Sequence, residues 1–549
     1  MDSKLIRKYA LQNAVFYNGK ANPGAVLGKV LAENPNLRKN IAPLRSDIEN
    51  TVESVNELSP EDQKKELEGI DKKLLVKEEK KQGLPELKDA KMGKVVTRFA
   101  PAPSGPLTIF HILRAASLSY IYAKRYKGKF ILRLEDTDPS KVEKQFYGMI
   151  EEDLKSVSLK PDKVIIESND MEKFYEQAEK LIRNRDTYVC SCSAEDFRKL
   201  KIEKKECDCR KRSDEPSLFL WNEMLEGKME EGEAVLRLKT NMSDPNPAIR
   251  DPPLFRIAKG KHPLTGNKYY VWPLYNFANT VEDHLQGITH VFRGKEHEHN
   301  TAIQERVYKA LGWKPPIVIN FGMVYLPGEK LHTRDIKDGI KTGKYSGWDD
   351  PSLPTLRAFL RRGFQPEAFL EAAKGCGLSK TDIRLGWENI YAFNRKSVDP
   401  KADRYMAVID PVKIKMETNK KQTELIYHPD FPKRGKRKVD VSKNIFISGE
   451  DFKCLKGKSI RLIELGNIKL DKTSQYNGDE LIQSMQKIQW VSEPNVKIKI
   501  LTPEGELSGL GEPAMAKLKV GDIIQMNRIG FARVDSKTKG QVVLVFGHK

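Results

Sequence analysis

The chain has 549 residues, 39% hydrophobic and 31% charged, with 37 Gly and 30 Pro; at roughly 150 residues per domain this is a globular protein of three to four domains, neither collagen-like nor wholly disordered. Lys and Arg outnumber Asp and Glu by 96 to 76, a net charge of +20, so a polyanionic partner is expected, with nucleic acid ahead of a membrane surface. No apolar run approaches the roughly 18 residues that span a bilayer, Met1-Asp2-Ser3-Lys4-Leu5-Ile6 lacks the form of a signal peptide, and six cysteines are too few for a disulfide scaffold; the expectation is a cytoplasmic protein without a membrane.

Residues 1–92 read as a helical N-terminal extension. Lys4–Tyr17 is a periodic run, Asn18-Gly19 a breaker and Gly24–Leu31 a second helix, followed by a turn-rich stretch with Pro35 and Pro43. Ser59 is a predicted N-cap with Pro60 at the first helical position, and Gly83 and Pro85 close that run. From Val95 the pattern alternates: Val95–Phe99 as strand, Ile109–Tyr126 as helix ended by Gly128, and Phe130–Leu134 as strand, a βαβ unit. Beyond about residue 400 come many short strand-like runs, among them Glu424–Tyr427, Asn444–Ile447, Val496–Ile500 and Gln541–Phe546, as expected of β-barrels or sandwiches. Residues 401–549 hold 28 Lys and Arg against 18 Asp and Glu, half of the whole excess. The densest cluster, Lys433, Arg434, Lys436, Arg437 and Lys438, fits either a mobile solvated loop or contact with a phosphate backbone.

Three groups of residues suggest chemistry. Arg98-Phe99-Ala100-Pro101-Ala102-Pro103-Ser104-Gly105-Pro106-Leu107 joins the first strand to the helix bearing His111, a turn that aims helix-end N–H groups at an anion such as a nucleotide phosphate. Cys190-Ser191-Cys192 and Cys207-Asp208-Cys209 form two C-x-C pairs, four soft thiolates able to surround Zn²⁺; with no Glu or His at general-base spacing, the metal reads as structural. Arg293 ends the apolar stretch Ile288–Phe292 just beyond a strand, where α/β sheets place their sites.

The first turn, with Arg133-Leu134-Glu135-Asp136-Thr137-Asp138-Pro139, closely resembles the opening of class I glutamyl- and glutaminyl-tRNA synthetases. Tyr275-Asn276-Phe277-Ala278-Asn279, Gly287–Gly294 and Lys344–Pro351 follow in that family's order, and Val520–Gln525 and Gly530–Asp535 are similar to the last strands of its archaeal glutamyl form. The resemblance implies a multidomain α/β plus all-β fold: the helical extension 1–92, a Rossmann-like catalytic domain 93–345 with a zinc-bearing acceptor-stem insertion at about 188–270, a helical stem-contact region 346–398, and two anticodon-binding β-barrels in 399–549. It further implies a glutamate–tRNA ligase that uses ATP with Mg²⁺, L-glutamate and tRNA(Glu). Arg98 and Glu135 match the residues that hold the α-carboxylate and α-ammonium, Tyr275 and Asn279 the polar wall, and Arg293 the arginine that glutamyl enzymes carry and glutaminyl enzymes lack. Ser104, Gly105, Thr108, His111, Glu296 and Arg334 are the expected ATP-binding residues, with His111, Thr108, Lys330 and Arg334 carrying catalysis.

Both ATP signatures of the class depart from pattern. H-I-G-H reads Thr108-Ile109-Phe110-His111, and K-M-S-K-S is replaced by Lys330-Leu331-His332-Thr333-Arg334-Asp335, which sets an anion, Asp335, where the family has a lysine. Lys330, Arg334 or Lys337 is expected to supply the missing charge, His332 to act as a donor, and Thr108 to keep a hydroxyl. Two alternatives stay open: a catalytically silent tRNA-binding relative, and a glutaminyl-tRNA synthetase, which Arg293 disfavours.

Overall fold

Residues 3–17, 19–34, 37, 41–75, 83–328 and 331–549 are described by the structure, a computed structural model. They divide into two compact units, Met1–Gly83 and Leu84–Lys549. Among the described residues no helix is long and apolar enough to cross a membrane.

The first unit consists of four helices, α1 (Ser3–Phe16), α2 (Pro23–Glu33), α3 (Ile41–Asn56) and α4 (Pro60–Asp71), which close on a core of Ile6, Leu11, Val26, Val30, Leu44, Ile48, Val52 and Leu67. The α4 start is as predicted, with Ser59 Oγ accepting from the Asp62 N–H at 3.2 Å. α3 corrects the turn-rich reading. Pro43 is its third residue, where the missing N–H would lack an intrahelical partner anyway, and Leu44, Ile48, Val52 and Val55 then recur at helical spacing on the core side. α4 passes into the 3₁₀ turn Lys72–Leu75; the predicted stop at Gly83 follows residues 76–82, which lie outside the described residues.

In the second unit nine strands set the frame: β1 (Val96–Phe99), β2 (Lys129–Leu134), β3 (Lys163–Ile166), β4 (Thr187–Cys190), β5 (Val235–Leu238), β6 (Pro253–Ile257), β7 (Val271–Pro273), β8 (His290–Gly294) and β9 (Ile317–Phe321). β3-β2-β1-β8-β9 form a wholly parallel sheet. Its central strands β2 and β8 are buried on both faces, as the run Phe130-Ile131-Leu132 shows. Gly128, entering β2, is required: a Cβ there would meet the Val95 carbonyl oxygen at 1.9 Å. The predicted helix after β1 is present as Ile109–His111, the π-turn Ile112–Ala116 and Ser117–Arg125. β4-β5-β6-β7 make a separate antiparallel sheet, inserted in chain order between β3 and β8. Its core gathers Trp221, Phe255, Trp272, Phe277 and Tyr175.

Helices Thr333–Lys341, Leu356–Arg361, Pro366–Cys376 and Trp387–Val398 follow, and after them the chain is almost entirely strand. A seven-stranded sheet has as its two edges Asp403–Tyr405 and Ala407–Ile409. These edges are consecutive in the chain, so the sheet curls until they meet at Met406. A second β body packs Ile414, Ile445, Ile460, Leu462, Ile488 and Trp490. Part of the basic cluster is strand rather than loop. Lys436–Asp440 pairs with Gln422–Ile426 as a hairpin, and Arg437 is 8% exposed, ion-paired with Glu512 and set over the rings of Tyr405 and Tyr427. Arg434 bonds Asp403 and the carbonyls of Pro400 and Lys401. Two of the five charges therefore hold the fold together.

Candidate active site

The order of the parallel sheet reverses between β1 and β8, and the crevice beyond the C-terminal ends of these strands is where α/β sheets bind ligands. A cleft of about 430 Å³ opens there, lined among others by Arg98 from β1, Glu135 just after β2, Arg293 from β8, Tyr275, and Gly322 just after β9. Tyr275, Asn279 and Asp283 recur every four residues on helix Tyr275–Leu285 and so share its inner face.

Two arginines are tied into one buried network. Arg98 Nε donates to Asp283 Oδ1 at 3.3 Å and Nη2 to Asn279 Oδ1 at 3.2 Å. Arg133, fully buried, donates Nη1 to Asp283 at 2.5 Å and Nη2 to Asn279 at 2.6 Å and Glu135 at 3.1 Å, with Nε 3.3 Å from Glu167. Glu135 also accepts from Asn279 Nδ2 at 2.9 Å, so its carboxylate is held from two sides. Burial would raise the Asp283 carboxyl, but Arg133 and Arg98 outweigh it and hold it below the usual carboxylate range. Glu167 goes the other way, raised by burial and by Glu135 beside it.

Arg293 is different. It is 5% exposed, and its Nη1 donates to Gln304 Oε1 at 2.9 Å and its Nη2 to Thr301 Oγ1 at 2.6 Å. Both partners are neutral, no carboxylate pairs with it among the described residues, and its Nε has no partner. Burial lowers its pKa from the ordinary arginine value, yet a guanidinium stays charged at any physiological pH. A buried cation without a counterion is costly, and the site offers the open cleft as the place for the missing anion. Tyr275 stands beside it, its phenol kept neutral by burial and by Glu135.

Thr108 precedes the helix that bears His111, and its backbone N–H donates to His111 Nδ1 at 3.1 Å, with Thr108 Oγ1 equally close. Nδ1 therefore carries the lone pair and the proton of the neutral ring is on Nε2, which is free to donate. His111 is exposed in the cleft, and the surrounding protein lowers its pKa. Arg114, on the π-turn, donates to the carbonyls of Gly322, Cys376 and Gly377 and lies 4.5 Å over Phe321. Gly105 faces Thr333, whose Cγ2 would be 2.6 Å from a Cβ at that position; the turn leading to Thr108 thus touches the start of helix Thr333–Lys341.

The sequence-predicted residues separate accordingly. Arg98, Glu135, Tyr275, Arg293, His111 and Glu296 line the cleft, and Asn279 bonds two of them. Ser104, Gly105 and Thr108 form the turn beside it, Arg334 is exposed with no polar partner among the described residues, and Lys330 lies outside the described residues. Two residues of this region have partners within the fold. Asp335 is an N-terminal cap of helix Thr333–Lys341, accepting from the His332 N–H at 3.2 Å, which explains an anion at a helix start. Lys337 is committed to Glu143 and to the face of Phe146, so it is not a free charge for triphosphate. Sequence reading missed Arg133, Asp283, Thr301 and Gln304; the four-residue spacing of Tyr275, Asn279 and Asp283 was the available signal for one of them.

The four predicted cysteines converge at the end of β4 and in the 3₁₀ turn Asp208–Lys211. Their sulfurs all lie within 4.8 Å of one another, with Cys190–Cys207 at 3.9 Å and Cys192–Cys209 at 3.8 Å. A tetrahedron with Zn–S bonds of about 2.3 Å has edges of about 3.8 Å, so the donor set fits zinc and the separations exclude disulfides.

Residues 94–400 match the family model described as tRNA synthetases class I (E and Q), catalytic domain, and residues 402–486 and 487–535 match two models described as its anti-codon binding domain. The glutamate–tRNA ligase of Pyrococcus furiosus is 44% identical, aligned over 100% of this chain and 99% of its own length. Those of Methanocaldococcus jannaschii and Methanothermobacter marburgensis are 43% and 41% identical, each over the full length of both chains. On this breadth of likeness, carried through the catalytic and both anticodon-binding regions, the chain belongs to the class I glutamyl- and glutaminyl-tRNA synthetase family, in its archaeal glutamyl form.

Proposed function

We propose that this chain is a glutamate–tRNA ligase. It joins L-glutamate to ATP, with Mg²⁺ on the triphosphate: an oxygen of the α-carboxylate bonds the α-phosphorus and pyrophosphate leaves. A terminal ribose hydroxyl of tRNA(Glu) then attacks the acyl carbon, the C–O bond to phosphate breaks, and AMP departs. The observation that carries this reading is Arg293, a buried cation whose protein partners are both neutral. A substrate side-chain carboxylate supplies the absent counterion, whereas the amide of glutamine leaves it uncompensated.

The remaining roles follow from charge and reach. Arg98 attracts the α-carboxylate and Glu135, held by Asn279 and Arg133, the α-ammonium. Tyr275 closes the wall. The neutral Nε2–H of His111 donates to a phosphate oxygen as charge builds at the α-phosphorus, with Thr108 setting its tautomer in place of the family's first histidine. Arg334, uncommitted at the start of its helix, supplies the cation on the other side; Ser104, Gly105 and Glu296 border the nucleotide, and Lys330 adds a second charge. The cysteine site would hold a structural zinc that fixes the inserted sheet, which grips the acceptor end of tRNA, while two C-terminal barrels read the anticodon. The enzyme works in the cytoplasm.

The test is tRNA-dependent pyrophosphate exchange with glutamate and with glutamine. Exchange with glutamate alone is expected. A preference for glutamine, or exchange with neither amino acid, would overturn the reading in favour of a glutaminyl enzyme or a silent relative.

A further inference from the structure

Four buried arginines stand at the cleft: Arg98, Arg114 and Arg293 line it, Arg133 lies behind Arg98, and Arg114 is spent on the backbone carbonyls of Gly322, Cys376 and Gly377. Arg98 is paired with Asp283, and Arg133 with Asp283, Glu135 and Glu167. Arg293 is equally buried, but its partners among the described residues are neutral: Tyr275, and Gln304 and Thr301, three residues apart on helix Glu298–Leu311. Gln304 is itself 7% exposed. Its Oε1 faces Arg293, while its Nε2 has no partner among the described residues and borders a cavity of about 20 Å³ shared with Asp283, Thr301 and Tyr308.

An acidic side chain at either position would orient the guanidinium equally well and would also cancel its charge. A neutral amide oxygen and a hydroxyl orient it and leave the charge in place. Each takes one N–H, and among the described residues the Nε–H is left without a partner. We infer that Gln304, supported by Thr301, is a specificity-determining positioning residue: it aims Arg293 without neutralising it, and this is what lets the pocket separate a side-chain carboxylate from its amide. The inference rests on Arg293 meeting the glutamate side chain.

Gln304→Glu supplies an internal counterion with almost no change of shape. The expected result is a rise of about 10- to 100-fold in KM for glutamate, the loss of one charge-assisted interaction, with KM for glutamine and for ATP within about threefold of the parent and the preference for glutamate largely abolished. Gln304→Met removes the aim but keeps the charge. It raises KM for glutamate and lowers kcat while the preference survives. Preference unchanged in Gln304→Glu, with circular dichroism and KM for ATP intact, overturns the inference. Should Gln304→Glu fail to fold, Gln304→Met decides: an unaltered KM for glutamate overturns the positioning role. Arg293→Ala, run in parallel, keeps the two claims apart. If it leaves KM for glutamate unchanged, the reading of the pocket itself fails; if it moves KM and Gln304→Glu does not, only the role of Gln304 fails.

Discussion

Replacing Arg133 by Met keeps the length of the side chain and removes the cation that, among the described residues, Glu135, Glu167 and Asp283 share. Arg133 is fully buried and reaches all three carboxylates within 3.3 Å, and Arg98 can compensate only Asp283. Taking one partner from a buried ion pair costs about 3–5 kcal/mol. At about 2–4 °C per kcal/mol for domains of 150–250 residues, the first thermal transition falls by about 6–20 °C. The freed carboxylates can recover part of this by protonation, which raises their folded-state pKa above the unfolded value, so the deficit is largest at pH 8 and shrinks as the pH falls toward 5. Thermal unfolding followed by circular dichroism at both pH values measures it, and KM for glutamate should rise as well because Glu135 loses one of its two holders. Arg133→Lys, a point charge without the fork, is expected to fall between. A loss below about 1 kcal/mol, or a loss independent of pH, would refute the claim that this arginine is the hub of the network.

Arg293→Ala should raise KM for glutamate by about 10- to 100-fold with tRNA affinity within about twofold by filter binding; weaker tRNA binding with KM intact would move Arg293 out of the pocket. Cys207→Ser should take the zinc found by elemental analysis from one equivalent per chain toward none and lower the stability of the inserted sheet, and wild-type zinc retention would argue against the four-thiolate site. Glu282, fully buried, is pushed up to about 7, mainly by burial and, against the pull of Arg133, by Asp170 beside it. The folded state thus keeps a proton that the unfolded chain has released, and stability drains away as pH climbs from the ordinary glutamate value of 4.5 through 7. Glu282→Gln should therefore unfold like the parent at pH 4.5 and resist unfolding better at pH 8; equal differences at both would show that Glu282 is not the titrating group. Thr108→Val removes the hydroxyl but keeps the backbone donor, so exchange activity should fall only a few-fold, by about 1 kcal/mol, whereas His111→Ala should nearly abolish it; equal losses would deny that Thr108 acts through His111.

What was legible from sequence was whatever local pattern decides. The strands at Val96 and Lys129 announced themselves as β-branched or aliphatic runs, the helix after β1 by its period, α4 by its Ser-Pro start, and the cysteine site by two C-x-C pairs. Pro43 misled because a proline is punctuation only inside a helix, and it stands in a first turn. The role of Arg437 was hidden because its partner Glu512 is 75 residues away, and charge counts cannot tell a buried ion pair from a solvated face. The same holds for Arg133 and Asp283, 150 residues apart. Asp335 was read as an anion in place of the family's lysine, and three residues of local sequence after His332 also spell a helix cap.

The placement of β1 has a consequence for how the protein is made. Its hydrogen-bonded neighbour on one side, β2, follows within one helix, but on the other side Val96 bonds Thr289, 193 residues later. At about 5–20 residues per second on the ribosome, roughly 10–40 s pass between the two. Throughout that interval the nascent sheet β3-β2-β1 ends in a bare apolar edge, the kind of template that recruits foreign strands, while the antiparallel insert assembles on its own core. Production of this protein in a heterologous host should accordingly benefit from slowed growth and abundant holdase chaperones, and β8 emerging is the step that seals the exposed seam.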